Sequence, residues 1–274
     1  MQEIDEKIQS GGITIILTTY DTLKQYTDAF ASGKISLLVL KGRGAIGKTY
    51  MIEQSTLQAD CVNFNGHATP LSIYLKLYEN PTQLVVFDDV DSLITNKITV
   101  ALLKQVCEMK PDKIIRYNST HKVEDKQIPS SFNSNNRVCL TCNDFKRVGK
   151  NIAALLTRAI FIDFQPSNLE VLLQIAKFDD LDKEIFSYLE DHAHQIKELN
   201  FRTYIKCVEL KQANLDWKDY LTREYKIDPL DEYSLTLLAY PVNIGNWMWQ
   251  ERTGKSTRSL QRRLKKLEVF NWFM

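Results

Sequence analysis

The chain has 274 residues, 44% of them hydrophobic and 25% charged, and its formal net charge is +1 at pH 7. This composition is typical of a globular protein with a buried core, and it excludes collagen-like, low-complexity and mini-protein classes. Because no run of about 18 uncharged apolar residues occurs and residues 1–10 are polar and acidic, we expect neither a membrane span nor a secretory signal, and therefore a cytoplasmic protein.

Short apolar runs alternate with helical patterns through the first 165 residues. The runs are residues 35–40, 61–64, 84–87, 138–141 and 160–164. Each run is too short for a helix, so the alternation predicts the strands of a mostly parallel sheet with helical crossovers, which is an α/β fold. Ahead of the first run, apolar residues recur at helical spacing from Tyr20 to Phe30, and Gly33 follows as a helix stop signal.

A glycine-rich motif, G-x-x-x-x-G-K-T, directly follows the first apolar run. Its residues are Gly42, Arg43, Gly44, Ala45, Ile46, Gly47, Lys48 and Thr49. A strand before the motif and a helix after it aim backbone N–H groups at phosphates, and this flanking pattern disfavours a chance loop. We predict that Lys48 contacts the β- and γ-phosphates of ATP and that the Thr49 hydroxyl is a ligand of Mg²⁺.

Two carboxylates, Asp88 and Asp89, directly follow the third apolar run. The carboxyl ends of parallel strands share one edge of a sheet, so both are expected beside the phosphate loop. We predict that Asp88 holds Mg²⁺, directly or through water, and that Asp89 orients and deprotonates the attacking water. The alternative for Asp89, and the favoured interpretation of Asp91, is a cap at the start of a helix.

The phosphate loop and the acidic pair, in this order of elements, resemble the AAA+ ATPases over residues 13–225. The resemblance implies a P-loop core with a parallel sheet and flanking helices, a helical lid after it, ATP and Mg²⁺ as cofactors, and hydrolysis of ATP to ADP and phosphate. Asp89 departs from the glutamate that is more frequent in the family, although an Asp-Asp pair also resembles the bacterial replication-initiator branch. Slow hydrolysis, suited to a nucleotide-gated switch, is compatible with that departure.

The resemblance implies two further residues of the nucleotide site. Asn143, after the fourth run, matches sensor 1, whose amide positions the water near the γ-phosphate; an ordinary turn residue is the alternative. Arg202, at the start of a helix in the lid, resembles the sensor 2 arginine, and the alternative is a solvated arginine.

Arg158, just ahead of the fifth run, matches the place of the arginine finger. In the family this residue reaches the nucleotide of a neighbouring subunit, so the resemblance implies a homo-oligomer with shared sites. The alternative is a surface arginine that complements the dipole of a helix end. Lys146, Arg147 and Lys150 are rival finger residues.

A polar tip that contains His121 and Lys122 lies between residues 114–118 and 126–129. Its place before the sensor 1 run resembles the β-hairpin that AAA+ helicases and initiators direct at DNA. The resemblance therefore implies DNA contact at the tip. Mixed charge at a loop end is also usual for a solvated loop, and that alternative stays open.

The C-terminal end of the chain is basic. Residues 252–266 hold seven positive charges and no acidic residue, and with a total of +1 this leaves −6 on the rest of the chain. A helix, a turn at Gly254 and a second helix with Leu260, Leu264 and Leu267 on one face resemble a simple or winged helix-turn-helix. The predicted nucleic-acid contacts are Lys255, Ser256, Arg258, Arg262, Arg263 and Lys265. The alternative is a basic amphipathic helix that packs on the body or binds another subunit, RNA or a protein partner.

The predicted domains are an ATPase core at 1–165, a helical lid at 166–225 and a small, mostly helical DNA-binding segment at 226–274. The predicted function, by family analogy, is ATP-driven action on single-stranded or duplex DNA in replication initiation, helicase loading or unwinding, of a phage or plasmid. The alternative is a nucleotide-gated regulatory or assembly switch whose C-terminal helices bind a protein. A small-molecule kinase is disfavoured by the Asn143 and Arg158 pattern and by the lack of an evident substrate lid.

Overall fold

The computed structural model describes residues 14–66, 68–89, 96–110, 112–117, 128–143 and 157–266. The chain divides into two compact units, the first ending at Glu170 and the second beginning at Val171. The first unit has the predicted α/β fold. Its strands are β1 (Thr14–Leu17), β2 (Leu37–Lys41), β3 (Cys61–Asn65), β4 (Leu84–Asp88), β5 (Lys113–Arg116), β6 (Ser131–Ser134), β7 (Arg137–Cys142) and β8 (Ile160–Phe164). Its helices are α1 (Tyr20–Ala31), α2 (Lys48–Thr56), α3 (Pro70–Glu79) and α4 (Lys97–Val106).

Six strands form one parallel sheet in the order β1-β8-β2-β7-β4-β3. The five predicted runs are β2, β3, β4, β7 and β8, whereas β1 at the sheet edge is not among the predictions. Because every strand of this sheet points the same way, the segments that follow β2, β7 and β4 meet at one edge. This edge therefore carries the phosphate loop, Asn143 and the acidic pair.

The sheet is stabilised by strands that are buried on both faces. The first four residues of β2 and of β4 are all buried, which is the continuous apolar pattern of parallel strands covered by helices. Each fully buried Leu or Phe contributes roughly 1.5–3 kcal/mol to folding. Helix α1 begins where the Thr19 hydroxyl accepts a hydrogen bond from the Thr22 N–H, and the chain leaves it at Gly33, whose φ of 84° is left-handed.

Strands β5 and β6 form a separate antiparallel pair in the segment predicted to be a hairpin. Strand β5 overlaps the first flank of the predicted hairpin, and β6 begins at Ser131, after Pro129, which lacks the N–H that a ladder requires. The base of the pair is tied to α4 by the buried Lys113, whose Nζ donates to the carbonyl oxygen of Val106 at 2.8 Å and to that of Asn136. The predicted DNA-contacting tip, with His121 and Lys122, lies outside the described residues.

The second unit is helical where it is described. Its first helix, α5 (Asn168–Ile175), begins three residues before the boundary between the units. The others are α6 (Lys183–Asp191), α7 (Phe201–Gln212), α8 (Trp217–Tyr225), α9 (Pro229–Thr236), a 3₁₀ turn (Leu237–Ala239), α10 (Val242–Thr253) and α11 (Thr257–Lys266). One hydrophobic cluster joins α5 to α8, and a second joins the 3₁₀ turn, α10 and α11. The predicted boundary at 165/166 falls just before α5, and that at 225/226 falls near the gap between the clusters; the three-domain division stays a prediction. None of the described helices is long and apolar enough to cross a membrane.

Candidate nucleotide site

The phosphate loop connects β2 to α2, and Lys48 is the first residue of that helix. Two residues of the loop have a left-handed backbone, Ala45 with a φ of 59° and Gly47 with a φ of 77°. Glycine adopts this conformation without strain, whereas alanine does so at a cost of about 1 kcal/mol. At Gly42 a Cβ atom would lie 2.7 Å from the carbonyl oxygen of Phe164, so a side chain cannot fit there.

Lys48 is buried, with 7% of its surface exposed, and its Nζ lies inside the curve of the loop. It donates to the carbonyl oxygens of Gly42 at 2.6 Å and Arg43 at 2.9 Å, and to Oδ1 of Asn143 at 3.0 Å. The ammonium group is thus held at the point where the loop and the end of β7 meet. Such a cation is placed to bind phosphate oxygens that enter the loop.

Thr49 and Asp88 present the oxygen donors predicted to hold Mg²⁺. The Thr49 hydroxyl donates to Oδ1 of Asp88 at 2.9 Å. No group of three or more His, Cys, Asp or Glu side chains among the described residues could hold a metal ion. A Mg²⁺ site here therefore needs the hydroxyl, a single carboxylate and the nucleotide's own phosphate oxygens, which is the mixed coordination that Mg²⁺ usually has with nucleotides. These residues fit the ion.

Asn143 connects the loop to the second carboxylate. Its Oδ1 accepts from Lys48, and its Nδ2 donates to Oδ1 of Asp89 at 3.2 Å. Asp89 is exposed at the end of β4, and its φ of 54° is unusual for a residue other than glycine. Lys48, Asp88, Asp89 and Asn143 thus meet at one sheet edge, as the sequence predicts; their roles in catalysis stay predictions, and Asp91 lies outside the described residues.

Strand β7 lies between β2 and β4. Asn143, the residue that follows β7, therefore lies between the loop and the acidic pair. The strand before the loop, the strand before Asn143 and the strand before the acidic pair are therefore neighbours in one parallel sheet. The fold is that of the AAA+ P-loop ATPases.

No protein-family model matches the chain. A curated relative, an uncharacterized 36.7 kDa protein encoded in the nrdC-mobD intergenic region of Enterobacteria phage T4, is 18% identical over 241 residues, which are 76% of this chain and 74% of that protein. Domain III of the Thermotoga maritima replication initiation protein DnaA is 11% identical, covers 91% of each chain and has a TM-score of 0.42. A Thermotoga maritima RuvB structure is 13% identical, covers 90% of this chain and 86% of that one, and has a TM-score of 0.47. At these identities the AAA+ fold rests on the strand order and the loop of the chain itself.

Tyr20 of α1 contacts the loop, and the sequence does not predict this contact. Its phenol donates to the carbonyl oxygen of Ile46 at 3.0 Å, and its ring packs edge-on against Phe164. Burial raises the pKa of the phenol above its usual range, against an opposing effect of Arg43, so the group stays a proton donor. The hydrogen bond fixes the Ile46–Gly47 peptide with its carbonyl turned toward Tyr20, and therefore fixes the direction of the Gly47 N–H.

We expect Tyr20→Phe to lower the affinity for nucleotide about five- to tenfold, the effect of one buried hydrogen bond worth about 1 to 1.5 kcal/mol. The measurement is equilibrium binding of a fluorescent ATP analogue. The matched control is Tyr74→Phe, which removes a phenol that donates to the Pro129 carbonyl at 2.5 Å beside the β5–β6 pair. An unchanged nucleotide affinity in Tyr20→Phe, with a fall in Tm like that of the control, would show that the bond serves stability alone.

The two predicted arginines of the nucleotide site lie in different units. Arg158 is exposed in the turn before β8, at the sheet edge where strands begin. Arg202 is exposed as the second residue of α7 in the second unit. Both roles stay predictions, and the rival residues Lys146, Arg147 and Lys150 lie outside the described residues.

The basic C-terminal segment consists of α10, a short turn and α11. Gly254, with a φ of 65°, ends α10, and Trp249 of α10 donates from Nε1 to Oγ of Ser259 at 3.0 Å. Leu260 and Leu264 of the predicted apolar face are buried, and Leu267, the third residue of that face, lies outside the described residues. The predicted nucleic-acid contacts that are exposed are Lys255, Ser256, Arg258, Arg262 and Lys265.

Arg263 differs from its neighbours, and its prediction as a nucleic-acid contact is at odds with its surroundings. Its guanidinium makes ion pairs with Asp228 and Asp231, and its side chain is 18% exposed. Burial acts to raise the pKa of Asp228, but hydrogen bonds from Arg263 and from the Leu230 N–H outweigh it, so that this pKa lies below its usual range. A guanidinium committed to two carboxylates holds α11 against α9 instead of presenting a charge to solvent.

Proposed function

We propose that this chain is an ATP-binding and ATP-hydrolysing AAA+ protein that acts on DNA. The observation that carries the proposal is a pair of hydrogen-bonded sets that lie together at the carboxyl edge of the sheet. Lys48 is joined through Asn143 to Asp89, and Thr49 is joined to Asp88. Residues suited to phosphate binding, metal binding and water activation lie side by side in these sets, which supports the proposal because phosphoryl transfer requires all three.

Each side chain has a separate task in this proposal. Lys48 and the backbone N–H groups of the loop bind the phosphates. Thr49 and Asp88 hold Mg²⁺, which when bound supplies positive charge to the phosphoryl oxygens. Asp89 accepts a proton from the attacking water, and the Asn143 amide, fixed on both sides by Lys48 and Asp89, orients that water. The hydrogen bond from Asn143 and the left-handed backbone of Asp89 restrict the orientations of the Asp89 carboxylate.

The proposed DNA contact rests on the surface of α11. Arg258, Arg262 and Lys265 are spaced four and three residues apart, so they share one helix face, while Leu260 and Leu264 are buried on another. A stripe of exposed cations on a helix that follows a glycine turn fits a DNA backbone. Within the AAA+ family we propose replication initiation, helicase loading or unwinding, in a homo-oligomer, and the T4 relative agrees with a phage setting.

A second candidate is a nucleotide-gated switch whose C-terminal helices bind a protein. It is favoured by an apolar groove of about 310 Å³ between the 3₁₀ turn, α10 and α11, lined in part by Leu238, Tyr240, Val242 and Leu260. Tyr240 and Val242 are half exposed there, and Trp247 nearby is 62% exposed. Exposed apolar surface of this kind is common at protein interfaces.

ATP hydrolysis at steady state distinguishes the two candidates. The rate is measured without nucleic acid, with single-stranded DNA and with duplex DNA, and Lys48→Ala controls for contaminating ATPases. A several-fold stimulation by one form of DNA supports the DNA proposal. Lys48-dependent hydrolysis at a rate that neither form of DNA changes favours the protein-directed switch. The absence of both ATP binding and ATP hydrolysis overturns the nucleotide proposal.

We expect the double substitution Arg258→Gln with Arg262→Gln to weaken DNA binding at all sequences and to lower the slope of log affinity against log salt by about 2, one for each lost phosphate contact. Fluorescence anisotropy across a salt series measures both quantities. Arg223→Gln with Lys197→Gln removes the same charge from exposed positions of α8 and of the segment before α7, and should change neither. Equal effects of the two double variants would show that DNA binding depends on net charge and not on Arg258 and Arg262.

A further inference from the structure

Thr141 of β7 touches both carboxylate residues of the acidic pair. Its Oγ1 donates to Oδ1 of Asp88 at 2.5 Å, and the same Oγ1 accepts from the Asp89 N–H at 3.0 Å. A hydroxyl has one proton and two lone pairs. Because the Asp89 partner is a backbone N–H, Thr141 is the acceptor there, and its single proton is directed to Asp88.

The position of Thr141 follows from the register of the sheet. Phe87 of β4 lies opposite Leu140 of β7, so the next residues, Asp88 and Thr141, are neighbours at the carboxyl edge. On its other side, Thr141 lies opposite Leu40 of β2, the strand that leads into the phosphate loop. The hydroxyl therefore stands on the central strand, held between the loop strand and the acidic strand.

Asp88 is held from two directions. Thr49 donates to its Oδ1 from the loop, and Thr141 donates to the same atom from the sheet. Thr49 belongs to the segment that must accommodate nucleotide, whereas Thr141 is 1% exposed within a strand paired on both sides. The sheet hydroxyl is thus the rigid member of the pair, and it fixes the carboxylate before any ligand enters.

Asp89 depends on the same hydroxyl for its backbone. Its φ of 54° lies in the left-handed region, which costs a residue other than glycine about 1 kcal/mol or more. The hydrogen bond from its N–H to Thr141 compensates part of this cost. Loss of the acceptor would release the turn that presents the Asp89 carboxylate to Asn143.

We propose that Thr141 is the positioning residue of the acidic pair, aligning the Asp88 carboxylate for Mg²⁺ and the Asp89 backbone for water activation. The proposal rests on the ATPase function proposed above. A residue that merely filled space would be replaced without loss by valine, which has the same shape, whereas a positioning hydroxyl would be replaced only by serine.

The experiment compares Thr141→Val with Thr141→Ser in the full chain. ATP hydrolysis is titrated with Mg²⁺, and binding of a fluorescent ATP analogue is measured with Mg²⁺ and in EDTA. We expect Thr141→Val to raise the Mg²⁺ concentration for half-maximal activity about tenfold and to lower the maximal rate about tenfold, since residues that orient metal ligands usually have effects of this size. Thr141→Ser should remain near the wild type in both quantities, and nucleotide affinity in EDTA should be unchanged in both variants.

Thr56→Val is the matched control, because the Thr56 hydroxyl is buried too but donates to the Ile52 carbonyl within α2. It should leave the Mg²⁺ titration unchanged. Wild-type Mg²⁺ dependence and rate in Thr141→Val, or equal damage in the valine and serine variants, would overturn the inference, as would an equal loss of nucleotide affinity in EDTA. If the wild type binds ATP without hydrolysing it, Mg²⁺-dependent binding still tests Thr141; if it binds no nucleotide, the proposed function fails first.

Discussion

Lys48→Ala is expected to abolish ATP hydrolysis and to lower nucleotide affinity about 100-fold, the effect of two charge-assisted hydrogen bonds at about 1.5 kcal/mol each. Nζ of Lys48 lies 2.6 and 2.9 Å from two carbonyl oxygens of its own loop and 3.0 Å from Asn143. An entering phosphate competes with these neutral acceptors for the same ammonium group and prevails because it is charged. Alanine removes the group that contacts the Asn143 amide and is expected to contact the phosphate.

Binding of a fluorescent ATP analogue and steady-state phosphate release measure these two effects. Lys34→Ala is a suitable control, since Lys34 is an exposed lysine three residues before β2, the strand that leads into the loop. The control should keep the wild-type affinity and rate. Retention of more than about a tenth of the wild-type rate in Lys48→Ala, at full purity, would place hydrolysis outside this loop, because the P-loop lysine supports the transferred phosphoryl group directly.

The sequence predicts the elements whose signals are local. The phosphate loop has a fixed spacing of glycines, lysine and threonine, and five of the six strands of the main sheet contain short, mainly apolar runs, so both are found where expected. Asp88, Asp89 and Asn143 follow two of those runs directly, and the parallel order of the strands brings them together. For these residues, the position along the chain is almost sufficient to predict the position in the site.

Residues that act across strands carry no such signal. Thr141 and Tyr20 are ordinary members of a strand and a helix, and their roles depend on the register of β4 with β7 and on the approach of α1 to the loop. Thr141 stands two residues before Asn143, and alternation along an extended chain predicts that such residues face the same side. The charge pattern along the sequence groups Arg263 with its basic neighbours, because it does not reveal the two aspartates that α9 and the residues before it bring to Arg263.

Arg158→Ala is expected to leave ATP binding intact and to lower hydrolysis about 1000-fold, the smaller end of the range for an arginine finger. Arg158 precedes β8, whose Ile160 lies opposite Leu38 of β2. The loop begins at Gly42, so about 13 Å of sheet, four residues at about 3.3 Å each, separate the start of β8 from the start of the loop. Arg158 is therefore remote from the loop of its own chain, and a role in hydrolysis requires a second chain.

A mixing experiment tests that requirement directly. Lys48→Ala keeps the finger but lacks a working loop, and Arg158→Ala keeps the loop but lacks the finger. If the site is shared in a head-to-tail oligomer, an equal mixture should recover about a quarter of the wild-type rate, because half of the loops are intact and half of their neighbours supply Arg158. Arg223→Ala, at an exposed position of α8, should be fully active and serves as the control.

Recovery in the mixture cannot come from either variant alone, since each lacks one half of every site. No recovery, with both variants folded and able to form oligomers, would remove Arg158 from the nucleotide site and leave it as a surface arginine. Hydrolysis by pure Arg158→Ala at the wild-type rate would do the same more simply. The mixture therefore tests the finger and the shared site together, and the pure variants show which of the two fails.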